Sequence, residues 1–582
     1  MVHARPQLRG SAVRSKTPAI LRAASLFSLS LLLVGLMLTR VSAQGPAAAA
    51  APVVSTGNGF LYQPSAGSFW DPSVIYANNQ YYMFTMYGGD GVWLATSQDG
   101  VHWKDYGVVL KSTNFKNNRV WKQYISKVGD RYILNHGGFT DQGTNNNLLR
   151  FYESKDLIHW NYLYEVPIDP KLYRADGRWD HMFTVPKNEA QPTGGYWGYV
   201  VADPIDHGGF GLMDSPDGIH FTPVKAPDII ADFKVPTLEV GGIKKLGNKY
   251  YFLGGNVNHF GFNGYGVYTY VADSLTGPFR PDMGAYRLTG TSGMDGNYYV
   301  HILAGFVKDS PQDLVSDPFT FRSTTGTDGH GTWFLPMRKA VVDRQGHLRL
   351  AYWEQNDLAK GNEIEVDATR NLVAFPPGQT ASNPIVRVAA TGDSLTVETD
   401  KAWRAFDWLE SDKTRKAVVL VNRRFDLDKG LIVEGHVKAR SLTKDIGDAH
   451  KTYAGFYVEG ADKNNNTAIL LEVGEPLWRE SLIGRLQTDI GFHFDTLDAT
   501  GRNSATVTGL DNGRDHTFRL WLRGGQMELY IDDMLMQSFF FFRPSGRIGF
   551  ISQESEAAFS GLKFYEMNLG SHFQASVSPA GH

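Results

Sequence analysis

Short runs of apolar and aromatic residues, interrupted by Gly, Asn and Asp, recur from about residue 60 to 355. Four of them share a layout: "YANNQYYMFTM" (76–86), "KVGDRYILNHG" (127–137), "KLGNKYYFLGG" (245–255) and "DRQGHLRLAYW" (343–353). Each is a tight polar turn feeding an aromatic or branched strand, the signal of a β-hairpin. A second series follows the first: "SQDGVHW" (97–103), "SKDLIHW" (154–160), "SPDGIHF" (215–221) and "ADSLTGPF" (272–279). Their closing aromatics Trp103, Trp160, Phe221 and Phe279 stand 57, 61 and 58 residues apart.

A period near 58 residues with hairpins inside it predicts four-stranded sheets arranged radially, as propeller blades. Five blades fit residues 58–375, the last opening near "TDGHGTW" (327–333), with residues 285–328 left unassigned. One large sandwich with coincidental turns is the plainer alternative. Beyond "NLVAFPPGQTASNP" the pattern changes to two-residue alternation, as in "LIVEGHVKA" and "HTFRLWLRGGQMELYIDD". That predicts an antiparallel sandwich over 386–570. The expected class is all-β, a five-bladed propeller followed by a β-sandwich.

Composition sharpens this picture. With 582 residues, 42% hydrophobic and 20% charged, the chain is globular and long enough for two or three domains. Residues 1–22 carry five basic side chains and no acid, and "AASLFSLSLLLVGLML" and Val41-Ser42-Ala43 follow. This predicts a signal peptide over 1–43 and a linker over 44–57, hence a secreted or periplasmic protein with no stable membrane insertion after cleavage. Removing residues 1–43, with six basic and no acidic side chains, takes the formal charge from −3 to −9. A nucleic-acid partner wants a basic footprint and is not expected. With no Cys, thiol catalysis and zinc–thiolate sites are excluded.

Innermost propeller strands converge on a central channel, so acids at their starts gather at one mouth. Asp71 in "FWDPSV", Asp180 in "RWDHMFTV" and Glu239 in "TLEVGGIKK" each precede an apolar strand, 109 and 59 residues apart. For any one of them, turn capping or pairing with Arg178 or Lys244 is the simpler reading; three at blade spacing point to chemistry.

"WDPSVIYANNQYYMFTM", "WDHMF" and "LEVGGIKKLGNKYYFLGG" resemble the blade-start motifs of the five-bladed propeller glycosidases, glycoside hydrolase family 43 and its relatives, including family 32. The resemblance covers residues 60–355 and implies a carbohydrate substrate. It also implies that Asp71 is a base or nucleophile, that Asp180 orients and tunes the acid, and that Glu239 is the proton donor. Beside them Trp70, Trp179 and Trp333 are candidate sugar platforms, and His136 in "LNHGGF" a candidate for a sugar hydroxyl. The resemblance also puts His330 near a channel metal, often calcium, although hydrolysis needs no cofactor. Calcium prefers oxygen, so His330 would order a metal-bound water; a histidine simply packed in the channel is the alternative.

Family 32 has Asn-Asp-Pro-Asn, Arg-Asp-Pro and Glu-Cys where this chain has Trp-Asp-Pro-Ser, "WDH" and "LEV". That favours the family 43 pattern of furanosyl or xylosyl hydrolysis with inversion, with Asp71 as general base. Inversion needs carboxyls roughly 6.5–9.5 Å apart and retention about 5–5.5 Å. A retaining fructan-type hydrolase with Asp71 as nucleophile is the alternative. A non-catalytic carbohydrate-binding propeller is another.

Overall fold

The computed structural model describes residues 60–65, 70–87, 89–112, 120–139, 146–188, 194–257, 265–290, 298–301, 304–322, 330–367, 372–375, 386–391, 394–399, 416–442, 452–460, 466–474, 481–487, 491–496, 509–540 and 544–570. The expected signal peptide and linker lie outside these residues. Among the described residues no helix is long and apolar enough to cross a membrane.

Four blades follow the predicted hairpins, each an antiparallel sheet in chain order. Blade one holds Trp70–Ala77, Gln80–Tyr87, Gly91–Ser97 and Lys104–Lys111. Blade two holds Gln123–Val128, Arg131–Phe139, Asn146–Ser154 and Asn161–Pro167. Blade three runs from Trp179–Pro186 through Tyr196–Ala202 and Gly211–Ser215 to Thr222–Val224. Blade four runs from Glu239–Leu246 through Lys249–Val257 and Tyr265–Ala272 to Arg280–Pro281.

The repeated Ser-x-Asp motif joins the third and fourth strands of the first three blades, with the same bonding each time. Oδ1 of Asp99, Asp156 and Asp217 accepts from two backbone amides two and three residues on, at 2.8–2.9 Å. Oδ2 of each meets the Nδ1 of His102, His159 or His220 at 2.7 Å. The side chain thus replaces ladder partners at a turn. Trp103 and Phe221 are then buried beneath the next strand.

Blade five departs from expectation. Its innermost strand is Gly305–Phe306, followed by Leu314–Ser316, Arg338–Val342 and Leu348–Tyr352. Lys308 bridges to Ile75, which brings this blade back against blade one. The "TDGHGTW" stretch opens no blade: His330–Phe334 is an edge strand of a separate three-stranded sheet with Tyr298–His301 and Pro318–Arg322. A glycine-rich two-residue strand carries almost no periodicity, and the inserted aromatic strands imitate a blade.

The propeller ends at Tyr352, earlier than the expected residue 375. Lys360–Glu363 already pairs with Ser555–Met567, and Leu372–Phe375 with Lys416–Val421, both in the sandwich sheets. Four apolar residues in a row do not say which sheet they will join. Blade five and the sandwich share one sheet through the pairing Ala351↔Met534. At that junction Arg338, fully buried, holds Asp317 at 2.6 Å and also Glu528 of the sandwich. One hydrophobic cluster runs through both, with the Phe60 and Trp521 rings edge to face at 6.0 Å.

Candidate active site

The three predicted acids sit at the starts of the first strands of blades one, three and four, with Asp180 and Glu239 within electrostatic reach of Asp71. Asp71 lies where the pairing of Trp70–Ala77 with its neighbour shifts register between Trp70 and Ser73. Its φ is +52°, a left-handed conformation that Asp tolerates better than most residues. Such a bulge re-aims a side chain away from strict alternation. Nε2 of Gln123 pins the bulge, donating to the Phe84 carbonyl at 2.6 Å and to the Asp71 carbonyl at 3.3 Å. Burial pushes the Asp71 carboxyl up to about 7; Lys122 opposes this while Glu239 and Asp180 add to it.

Asp180 opens blade three and is 2% exposed. Burial alone would raise its carboxyl, but hydrogen bonding from His181 and the Arg178 charge hold it well below the carboxylate range. Oδ1 accepts the His181 amide at 2.8 Å, and Oδ2 accepts from Nη2 of Arg178 at 2.8 Å. Gly137 makes room for it, since a Cβ there would stand 2.0 Å from Oδ1.

Glu239 opens blade four, its side chain 15% exposed. Arg178 forks onto both its oxygens, Nη1 to Oε1 and Nη2 to Oε2, the latter at 3.2 Å. One guanidinium therefore binds two of the three acids. The pairing considered for Arg178 from the sequence does occur, and it gathers the acids. Lys244 instead reaches Asp313, at 2.6 Å. Asp203 accepts the Arg178 amide at 2.8 Å and the hydroxyl of Thr237, tying the approach to blade four.

The aromatic expectations divide. Trp70 is 41% exposed beside Asp71, as a wall requires. Trp179 is fully buried, tilted on Tyr173 at 5.0 Å, with Nε1 donating to the Val166 carbonyl; it is core, not platform. Strand neighbours point to opposite faces, so Trp179, packed in the blade core, lies on the face opposite Asp180. Trp333 is buried in the main cluster and offers no ring face either. His136 is fully buried, stacked on Tyr152 at 5.5 Å with Nδ1 bonded to the Gly137 carbonyl. The side chain of His330 lies outside the described residues. Among the described residues, no group of three or more His, Cys, Asp or Glu side chains is arranged to hold a metal.

The sequence reading missed Lys122, Gln123 and Tyr124 in "VWKQYISKV" at the start of blade two. Lys122 is 1% exposed and its ammonium lies 4.9 Å from the Tyr124 ring centroid. Burial pulls its amine down to about 8, against the attraction of Asp71, Glu239 and Asp180. The Tyr124 hydroxyl donates to the Val240 carbonyl of blade four at 2.9 Å. The signal was present: Trp121-Lys122 repeats Trp70-Asp71 and Trp179-Asp180.

The fold is a five-bladed propeller followed by a C-terminal β-sandwich. Solved structures share it along nearly the whole chain. A family 32 β-fructofuranosidase of Bombyx mori matches with TM-score 0.54 and 12% identity, over 88% of this chain and 94% of that one. Sucrose-6-phosphate hydrolase of Lactobacillus gasseri matches at 0.58 and 12%, over 88% and 93%. The β-fructofuranosidase of Aspergillus kawachii matches at 0.58 and 11%, over 90% and 96%. No family model and no curated protein matches the sequence.

Proposed function

We propose that the chain is an exported glycoside hydrolase that cleaves O-glycosidic bonds of oligo- or polysaccharides at furanosyl units. One observation carries this: Asp180 of blade three and Glu239 of blade four share the Arg178 guanidinium, with Asp71 of blade one within electrostatic reach of both. Two carboxyl groups suffice for glycoside cleavage, and a third can orient the sugar or the acid.

For the stereochemical course this reading departs from the sequence expectation. The motifs favoured inversion. The overlay through propeller and sandwich on fructofuranosidases, the class for which retention was the alternative, favours Asp71 as nucleophile. In the first step an oxygen of Asp71 bonds to the anomeric carbon as the bond to the leaving oxygen breaks, and the Glu239 proton passes to that oxygen. In the second, Glu239 takes a proton from water, and the resulting hydroxide displaces Asp71. Because the Arg178 fork occupies both Glu239 oxygens in the free protein, the incoming sugar must displace the guanidinium from one of them, and that oxygen must take a proton from solvent, before Glu239 can protonate the leaving group.

The test is a screen of aryl arabinofuranoside, aryl xyloside, sucrose and inulin oligomers with the wild type and Asp71→Asn, followed by NMR of the products in aqueous methanol. The proposal expects turnover, its loss in Asp71→Asn, and a methyl furanoside of unchanged configuration. Transfer products absent, with the opposite anomer formed first, would return Asp71 to the role of general base. Sugar binding without turnover, undisturbed in Asp71→Asn, would leave a carbohydrate-binding propeller.

A further inference from the structure

Four of the five blades begin with a charged residue at the same place. Asp71, Lys122, Asp180 and Glu239 stand 51, 58 and 59 residues apart, each at or immediately before the first residues of an innermost strand. Three of them follow a tryptophan: Trp70, Trp121 and Trp179. Blade five breaks the series, opening with Ala304 and Gly305. The ring at the channel mouth is therefore acid, base, acid, acid, neutral.

A fully buried lysine is costly unless compensated, and this one is fixed in place. The ring of Tyr124 lies beside the ammonium, and the Tyr124 hydroxyl is anchored on blade four. Gln123, the next residue, clasps the backbone of Asp71 itself. Blade two thus delivers a cation and a backbone clamp to the same residue, Asp71. The other cation at the site, Arg178, is committed to Asp180 and Glu239.

Resting on the reading of Asp71 as the group that acts at the anomeric carbon, we propose that Lys122 is a positioning residue, the buried counter-cation that keeps Asp71 in its anionic form. The groups that face Asp71 are Lys122 from blade two, Arg178 and Asp180 from blade three, and Glu239 from blade four. The Tyr124 phenol of blade two also feels the Asp71 charge, and its ring lies 5.5 Å from that of the buried His181 of blade three. Of the two cations acting on Asp71, Lys122 has the larger influence. A compact ammonium with three donors suits such a point-charge role.

The experiment is a carboxyl-carbon NMR titration of the full chain without substrate, with the Asp71 signal assigned by its loss in Asp71→Asn. In Lys122→Met the Asp71 midpoint is expected to rise by one pH unit or more, and Lys122→Arg is expected to restore it. A parallel kcat/KM profile should show the acid limb moving upward by the same amount, at least a tenfold loss at pH 6, with kcat at high pH less affected. An unchanged Asp71 midpoint in folded Lys122→Met overturns the proposal, whatever happens to rate. Should Lys122→Met not fold, the Lys122 amine is titrated in Asp71→Asn. Its midpoint is expected to fall by a unit or more, and an unmoved midpoint overturns the proposal equally. If the wild type cleaves no glycoside, the hydrolase reading fails while the two titrations still decide on Lys122.

Discussion

Gly137 and Asp180 occupy what would otherwise be one space: a β-carbon on Gly137 would lie 2.0 Å from Oδ1 and 2.8 Å from Cγ of the carboxylate. The second strand of blade two can therefore pass beside the start of blade three only because residue 137 lacks a side chain. Gly137→Ala should push Asp180 off the Arg178 fork. A misplacement of this size costs about 100-fold in rate, and overpacking costs about 1–3 kcal/mol. Turnover and thermal unfolding measured together check this; a folded variant with unchanged kcat would show that the position of Asp180 does not matter.

Asp71 sets an acid limb. Its carboxyl is pushed up to about 7 by burial, with Glu239 and Asp180 contributing and Lys122 opposing. The reaction needs the anion, and a raised carboxyl loses its anion as pH falls through the folded midpoint. Below pH 7, kcat/KM should thus drop about tenfold per unit for one controlling proton. A profile flat from pH 5 to 8 would remove Asp71 from the chemistry.

Glu239 is assigned to protonate the leaving oxygen, so its loss should depend on how much help that oxygen needs. Glu239→Gln is expected to reduce cleavage of natural alkyl-linked oligosaccharides by about 100- to 10,000-fold, the range of general acid catalysis. Activated aryl glycosides should suffer far less. Equal losses on both would argue that Glu239 holds substrate and donates nothing.

The tryptophans beside Asp71 and Asp180 should separate cleanly by experiment. Trp70, exposed at the mouth, is expected on Trp70→Ala to raise KM with little change in melting temperature. Trp179 lies in the core of its blade, and Trp179→Ala should cost about 3–5 kcal/mol of stability. Calorimetry and steady-state kinetics on both variants decide; reversed outcomes would mean the walls of the pocket are misassigned.

Lys122 and Arg178 already supply two positive charges among the three carboxylates. We therefore expect extensive dialysis against EDTA to leave kcat unchanged. A tenfold or greater loss restored by calcium would revive the channel metal suggested by His330.

The placement of the three acids could be read from the chain because strand starts recur at blade spacing and three carboxylates share that position. Lys122 escaped because a lone lysine before glutamine reads as a solvated turn; only alignment of the three Trp-plus-charge openings distinguishes it. Trp179 was misread because adjacency to Asp180 in sequence means the opposite face of a strand. At Trp70 the same adjacency holds its meaning because the bulge at Asp71 breaks the alternation. Blade five was misplaced because its inner strand, Gly305–Phe306, is too short to show a period, and the sheet containing His330–Phe334 interrupts it.

The sandwich looks like an appendage in the sequence, yet Arg338 of blade five spends its charge on Glu528 across the junction. A guanidinium sealed from water and deprived of a partner costs about 3–5 kcal/mol. Cutting the chain after Tyr352 would leave that ion with Asp317 alone, at a newly opened sheet edge. Anyone trimming the protein to its propeller, or grafting a foreign module behind it, inherits an obligation to replace one acid, at one depth, in the graft.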